Sequence, residues 1–82
     1  MMTIELLLFA QLREALSADR MSREVPDGTT VERAAAEVLS ESSNPALARL
    51  PLVYAVNERY VAADHPLHDG DRLALITPFS GG

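Results

Sequence analysis

The residues best suited to chemistry are the last three, Ser80, Gly81 and Gly82. The two glycines carry no side chains and have wide backbone freedom, so a partner enzyme can grip this backbone closely and thread it through a narrow channel. Adenylation would turn the carboxylate of Gly82 into an acyl donor. Extended residues from Thr77 onward would reach roughly 20 Å beyond the body of the protein. The pattern predicts a flexible carrier tail, and a frayed terminus is the alternative interpretation.

Two amino acids that react readily are missing from the 82 residues. Without cysteine there are no disulfides, thiol nucleophiles, thiolate metal sites or iron–sulfur clusters, so any sulfur must be carried by another group. Lysine is missing too, and all 7 basic residues are arginine. Arginine stays protonated and resists acylation, so an activated tail would find only the α-amine as an acceptor on its own chain. Compositional drift toward arginine is the alternative explanation.

Other candidate clusters are weaker. Residues 64–69 hold two histidines and two aspartates, but a proline interrupts them and no helix aligns them as metal ligands. We interpret them as a polar bend in which Asp64 or Asp69 bonds nearby backbone, and we predict no metal site. Gln11, Arg13 and Glu14 could touch a partner or form a solvated turn. The serines of 40–43 lack a neighbouring histidine, and the glycines form no phosphate-binding loop.

Composition limits the function classes. We expect a single domain, 1–82, whose small core leaves little room for a deep catalytic cleft. The net charge of −5 and the scattered arginines disfavour nucleic acid and favour a basic protein partner. No apolar run is long enough to span a membrane, and no basic leader precedes the first apolar run. A cytoplasmic location is the expectation.

The first half of the chain predicts strands around one clear helix. The apolar run 3–9 suits a strand buried largely on both faces. Residues 10–16 favour one or two helical turns, and 21–25 suit a second strand before a turn at 26–28. Thr29 and Glu32 fit a capping box that would begin the main helix. Its buried stripe would be formed by Val31, Ala34, Ala35, Val38 and Leu39.

The second half predicts three more strands. Residues 46–50 could add a helical turn, 52–56 are rich in strand formers, and a tight turn at 57–59 would return the chain into a short strand at 60–61. A turn at 69–71 precedes a last strand at 73–76. Runs of strands around one capped helix predict an α+β domain with the helix packed on one face of the sheet.

Four segments resemble the small subunit of molybdopterin synthase. Residues 8–14 read Leu-Phe-Ala-Gln-Leu-Arg-Glu, and 55–57 read Ala-Val-Asn. Residues 64–71 read Asp-His-Pro-Leu-His-Asp-Gly-Asp, and 78–82 read Pro-Phe-Ser-Gly-Gly. The resemblance covers nearly the whole chain. The last segment alone is shared by many ubiquitin-like proteins.

The resemblance implies a ubiquitin-like β-grasp: a mixed sheet of four to five strands with one main helix on one face. It implies that an activating enzyme adenylates Gly82 with ATP and Mg²⁺, that no cofactor is bound by this chain, and that a sulfur donor converts Gly82 to a thiocarboxylate. The sulfur would pass to cyclic pyranopterin monophosphate in the large catalytic subunit, within a heterotetramer. The implied partner-binding residues are Phe9, Arg13, Phe79, Ser80, Gly81 and Gly82.

Two departures and three alternatives remain. Thr77 replaces the first proline of the family's usual pair, and Phe79 replaces a valine. We expect Phe79 to anchor on the large subunit. A sulfur carrier for thiamin or cysteine synthesis would share the fold and tail. A protein modifier joined through Gly82 to lysines, and a binding module with an idle tail, are interpretations from other functional classes.

Overall fold

In the computed structural model, residues 1–78 are described, apart from the side chain of Ala48. Within that range five strands form one sheet: β1 (Met2–Leu8), β2 (Arg20–Val25), β3 (Val53–Val56), β4 (Arg59–Val61) and β5 (Arg72–Ile76). Two α-helices, α1 (Ala10–Leu16) and α2 (Val31–Leu39), and a 3-10 helix, Pro45–Arg49, connect them. The predicted elements are therefore present, with ends shifted by one or two residues.

The strand order is β2-β1-β5-β3-β4. β1 and β5 run parallel with Leu6 opposite Leu73, and all the other neighbours are antiparallel. The sheet is mixed, as expected. Because β1 and β5 are parallel, the start of β1 lies at one end of the sheet, and the last residues of β1 and β5 lie together at the other.

The core lies between the sheet and α2. Leu6, Leu73 and Leu75 are fully buried from the sheet side. From the helix side the predicted stripe is confirmed, since Val31, Ala34, Ala35, Val38 and Leu39 are all buried in the same cluster. Helix α2 therefore packs on one face of the sheet, and its spacing of apolar residues follows from that contact.

The start of α2 corrects the predicted cap. Thr30, not Thr29, is the N-cap, and its hydroxyl accepts a hydrogen bond from the amide of Arg33. The Thr29 hydroxyl instead donates to the carbonyl of Pro26 at 2.7 Å and is buried in the turn. Two consecutive threonines could each supply the cap, and the positive φ of Gly28 sets the turn that assigns Thr29 to the loop.

The prediction that β1 is buried on both faces was wrong. Its burial alternates, with Ile4 and Leu6 in the core while Glu5 and Leu7 are only half-buried and Thr3 is exposed. β1 has a strand on each side, but no described element covers the face opposite α2. The run of leucines in β1 therefore combines a core stripe with an apolar residue on an uncovered face.

Arg23 and Glu41 tie the edge of the sheet to the end of α2. The Arg23 guanidinium donates to both carboxylate oxygens of Glu41, at 2.6 and 3.2 Å. That hydrogen bond is the main cause of a raised pKa of Arg23; burial opposes it, and the charge of Glu41 adds a smaller increase. The two side chains thus form a hydrogen-bonded ion pair on the α2 side of the sheet.

Candidate functional site

The uncovered face of the sheet holds a shallow apolar concavity. At its centre Ala74 lies opposite Leu7 on one side and opposite Ala55 on the other. We call this surface the open face, and its lining residues are Leu7, Phe9, Ala55, Asn57, Glu58, Tyr60, Arg72, Ala74 and Ile76. A contiguous apolar surface on a small protein, rimmed by polar side chains, is typical of a protein-binding site.

Two aromatic side chains stand at the margins of the open face. Phe9, directly after β1, is 47% exposed, and Tyr60, on β4, is 76% exposed. Large aromatic groups lose much apolar surface on docking and few rotamers, so they are frequent anchors of interfaces. Tyr54 belongs to the opposite side of the same strands, where burial, and secondarily the charge of Glu32, raises the pKa of its hydroxyl.

A small ion-pair network adjoins the open face. One carboxylate oxygen of Glu5 lies 3.2 Å from the Nε of Arg72, and the other lies 3.5 Å from the Nε of Arg20. Glu5 thus links Arg20 on β2 to Arg72 on β5, and Glu58 lines the same face, so this margin carries charges of both signs.

The rim beside Arg72 is held by Asn57. Its amide donates to Oδ1 of Asp71 at 2.9 Å, and its Oδ1 accepts from the amide of Arg72 at 3.1 Å. Asn57 and Glu58 form the β3–β4 turn with φ of 50° and 71°. Positive φ at both positions is the requirement of the tight hairpin turn that matches strand twist, and asparagine tolerates it well. Asn57 therefore fixes the turn and ties it to β5.

The polar segment 64–71 is part of this support. Asp69 accepts from the amide of Thr3 at 2.8 Å, and Asp71 accepts from the amide of His68 at 2.8 Å. Asp69 therefore bonds backbone, but at Thr3 rather than at the nearby backbone that was predicted, and the local bond within the bend is made by Asp71. Residues 1–78 contain no group of three side chains placed to hold a metal ion.

The tail begins beside the open face. Ile76, the last residue of β5, lines that face, and Thr77 after it is buried. Of the predicted partner-binding residues, Phe9 lines the open face, whereas Arg13 is exposed on α1 and is not among the lining residues. Phe79, Ser80, Gly81 and Gly82 lie outside the described residues, so their roles stay predictions.

Leu7, Tyr60, Ala74 and Ile76 were not predicted as site residues. For Leu7, Ala74 and Ile76 the signal is the period of two in β1 and β5, where every second residue faces away from α2. An apolar residue on that second face, such as Leu7, marks the surface once the strand is known to be covered on one side only. No helix in the part of the chain that the structure describes is long and apolar enough to cross a membrane.

The chain is similar to known proteins over nearly its whole length. A family model described as the ThiS family matches residues 6–82. The chain belongs to the ThiS family. It is 40% identical over 81 residues to the molybdopterin synthase sulfur carrier subunit of Escherichia coli strain K12, covering 96% of this chain and 99% of that one. It is 35% identical to the protein of the same description from Chlamydomonas reinhardtii, covering 99% of this chain and 100% of that one.

Solved structures confirm the ubiquitin-like β-grasp fold. Small archaeal modifier protein 1 of Haloferax volcanii is similar with a TM-score of 0.81 and 25% identity, covering 95% of this chain and 99% of that one. A chain of the complex of subunits 1 and 2 of molybdopterin-converting factor from Helicobacter pylori 26695 is similar in fold. Its TM-score is 0.65 at 20% identity, covering 99% of this chain and 100% of that one.

Proposed function

We propose that this chain is the sulfur carrier subunit of a molybdopterin synthase and that Gly82 is the group that carries sulfur. The observation that supports the proposal best is the end-to-end likeness to the sulfur carrier subunit of Escherichia coli, at 40% identity over 96% of the chain. The absence of cysteine agrees with it, because the chain then offers no thiol on which sulfur could be held.

The proposed chemistry belongs to the C-terminal carboxylate. A Gly82 oxygen attacks the α-phosphorus of ATP in an activating enzyme that supplies Mg²⁺, pyrophosphate leaves, and an acyl adenylate forms. A donor that supplies sulfur at the oxidation level of sulfide attacks the acyl carbon, AMP leaves, and the thiocarboxylate forms. This sulfur then bonds a carbon of cyclic pyranopterin monophosphate in the large subunit, and water cleaves the resulting thioester, which leaves the sulfur on the pterin and returns Gly82 to a carboxylate. Two loaded carriers supply the two sulfurs of one dithiolene. The chain binds no cofactor of its own in this scheme.

We propose that the open face docks on the large subunit while the tail enters its active site. Support comes from the exposure of Phe9 and Tyr60 and from Ile76, which lines the open face two residues before Pro78. A partner seated on this face would meet the chain where β5 ends. Two carriers at the ends of a central dimer of large subunits would form the heterotetramer, in the cytoplasm and without nucleic acid or membrane.

Intact mass spectrometry of protein from its own cells tests the carrier role. We expect a fraction of molecules to carry the mass increase of one oxygen replaced by one sulfur, confined to the C-terminal peptide. The matched variant lacks Gly82 and should fold normally, bind the large subunit through the open face, and transfer no sulfur. Full sulfur transfer by that variant would contradict the proposal. So would an oxygen-to-sulfur mass increase on any other peptide.

A protein modifier is the second candidate. It is favoured by the likeness to small archaeal modifier protein 1, whose fold covers 95% of this chain. An acyl adenylate at Gly82 suits either fate, because amines attack it as readily as sulfur does. Covalent adducts of higher mass that contain a Gly82–lysine isopeptide would favour the modifier. Rescue of molybdopterin synthesis in a deficient strain without such adducts would favour the carrier, and would also separate it from carriers for thiamin or cysteine synthesis.

A further inference from the structure

Strand β2 is an open edge of the sheet. It is six residues long and pairs with β1 on one side, while the described residues place no strand on its other side. The opposite edge, β4, has only three residues. A long unpaired edge presents backbone donors and acceptors to any strand of matching register.

The register identifies which backbone groups face outward. The amide of Leu8 donates to the carbonyl of Asp19 at 3.0 Å, which continues the β1–β2 pairing. Hydrogen-bonded and non-hydrogen-bonded pairs alternate in an antiparallel ladder, so Met21 and Arg23 bond to β1. The backbone N–H and C=O of Arg20, Ser22 and Glu24 therefore point away from β1.

The side chains of those same three residues are exposed. Because Arg20 lies opposite Leu7, Ser22 opposite Glu5 and Glu24 opposite Thr3, they share the open-face side of the sheet. Their order is positive, neutral and negative. The edge thus carries opposite charges at equal distances on either side of Ser22.

We propose that two copies of this chain pair through β2, antiparallel, about a two-fold axis at Ser22. In that register Arg20 lies opposite Glu24 of the second copy, and Glu24 opposite its Arg20. All three outward residues of each strand find backbone partners, giving six hydrogen bonds between the copies, and two ion pairs form on one surface.

The same charges disfavour the other two-fold registers. A register centred on Arg20 places two guanidiniums opposite each other, and one centred on Glu24 places two carboxylates opposite each other. Registers centred between these residues leave one outward residue of each strand unpaired. The pairing also closes, because it uses both β2 edges and leaves only the short β4 strands at the ends.

Neighbouring side chains are compatible with this dimer. Arg23 is already held by Glu41 on the α2 side, so it does not compete for Glu24 of the second copy. The carbonyl of Ser22 accepts a hydrogen bond from Nη1 of Arg23 at 3.0 Å, and its second lone pair is available for the ladder. Arg20 contacts Glu5 at 3.5 Å and can bridge both carboxylates.

The dimer leaves the other features of the chain accessible. Both open faces would lie on the same side of a ten-stranded sheet, and the two β5 strands would finish at opposite ends of it. The interface is narrow and polar, so the association is weak, with a dissociation constant on the order of 0.1–1 mM. Such pairing matters where the local concentration is high. Pairing through β2 does not require that Gly82 be adenylated or carry sulfur.

Sedimentation equilibrium of the full chain up to about 1 mM tests the proposal, with charge exchange as the decisive step. We expect a reversible monomer–dimer equilibrium. Arg20→Glu and Glu24→Arg should each raise the dissociation constant by about ten-fold or more, because each places like charges opposite each other twice. An equimolar mixture of the two variants should associate like the unsubstituted chain, since their heterodimer restores both opposite-charge pairs.

Three outcomes would overturn it. The chain could sediment as a monomer throughout, or the mixture could associate no better than each variant alone. Tyr60→Ser, a control on the open face, could abolish association, which would place the contact there instead. The first of these outcomes would leave the edge for an extended peptide of another protein.

Amide hydrogen exchange provides a readout on the unsubstituted chain. Raising the protein concentration should slow exchange at the amides of Arg20, Ser22 and Glu24, which face the edge. The amides of Met21 and Arg23 should not change, because β1 already protects them. Ser22→Pro, which removes the central outward donor without altering charge, should abolish the effect at Arg20 and Glu24. Equal slowing at all five positions, or none, would contradict pairing through this edge.

Discussion

Asn57 gives the rim of the open face its shape. It adopts the positive φ that the β3–β4 turn requires, and its side chain joins that turn to both the carboxylate of Asp71 and the backbone of Arg72. The Asn57 amide acts as donor to one group and acceptor from the other. Aspartate has the same shape and offers only acceptors at neutral pH. Substituting it at position 57 therefore tests the hydrogen bond donated to Asp71 without changing the size of the side chain.

Asn57→Asp should lower the free energy of unfolding by about 1–3 kcal/mol at neutral pH, because a carboxylate would replace the donor to Asp71. Repulsion between the two carboxylates favours the protonated form of one of them in the folded state. The loss should therefore be largest above the carboxyl range and shrink as the pH falls through it, toward about 4. Urea unfolding at several pH values measures this.

Asn57→Gly is the control for that experiment. It permits the positive φ and removes both side-chain hydrogen bonds without adding charge, so its cost relative to the unsubstituted chain should shrink less on acidification than that of Asn57→Asp. A pH dependence equal to that of Asn57→Asp would show that the effect does not come from repulsion between the introduced carboxylate and Asp71.

Phe9 and Phe79 are the two aromatic side chains expected to anchor on the large subunit. Phe9→Ala and Phe79→Ala should each weaken binding to the large subunit by about five-fold or more, since truncating an anchor typically costs over ~1 kcal/mol. Titration calorimetry with the large subunit measures both. The exposed Arg33→Ala on α2 is the control and should bind normally. Unchanged affinity for Phe79→Ala would remove Phe79 from the interface, and the same result for Phe9→Ala would argue against docking on the open face.

Among the elements, α2 depends on a cap one residue later than its sequence suggests. Thr30→Ala removes the hydroxyl that accepts from the amide of Arg33 and should destabilise the protein by about 1 kcal/mol. Thr30→Ser keeps the acceptor and should cost little. Chemical denaturation of the two variants measures the difference. Equal stability of Thr30→Ala and Thr30→Ser would show that the cap contributes nothing.

The elements also show what sequence patterns could and could not reveal. The stripe on α2 and the strand at 73–76 were predictable because burial on one side leaves a clear period. The two-sided burial of β1 was predicted wrongly because leucine occurs on both its faces, and pattern alone does not show that nothing covers Leu7. The bond from Asp69 to Thr3 joins opposite ends of the sequence, and no local rule predicts it.

At the scale of the whole molecule, the parallel pairing of β1 and β5 separates the amine from the tail. The α-amine of Met1 lies 3.4 Å from Asp27, at the end of the sheet where β1 starts. β5 finishes at the other end, about 20 Å away at the rise of an extended strand. The sequence has no lysine, and the α-amine of Met1 lies far from the point where β5 ends.

A lysine near the tail should make the chain acylate itself. Arg13 lies on α1, which follows β1 at the end of the sheet where β5 also ends. With Gly82 prepared as a C-terminal thioester, Arg13→Lys should form an internal amide: the lysine nitrogen bonds the carbonyl carbon, the thiol leaves, and the proton goes to solvent. Intact mass measures the product against simple hydrolysis.

Arg33→Lys is the matched control, since Arg33 lies at the far end beside the turn that holds Asp27. It should only hydrolyse, as should the unsubstituted chain. Equal internal amide in both lysine variants would mean that distance from the tail does not protect the chain, and amide formation on Met1 in the unsubstituted chain would contradict the geometric separation.

Thr77 is buried, so the point from which the tail departs is anchored to the body of the protein. Beyond that anchor the chain has a fixed number of residues, 78 to 82, which covalent geometry limits to about 17 Å. In the proposed function, the buried Thr77 and the five residues from 78 to 82 would limit how far Gly82 enters the large subunit. One glycine inserted after Pro78 would move the terminal carboxylate by up to about 3.5 Å, enough to miss a reacting atom. Binding to the large subunit should survive that insertion while sulfur transfer falls.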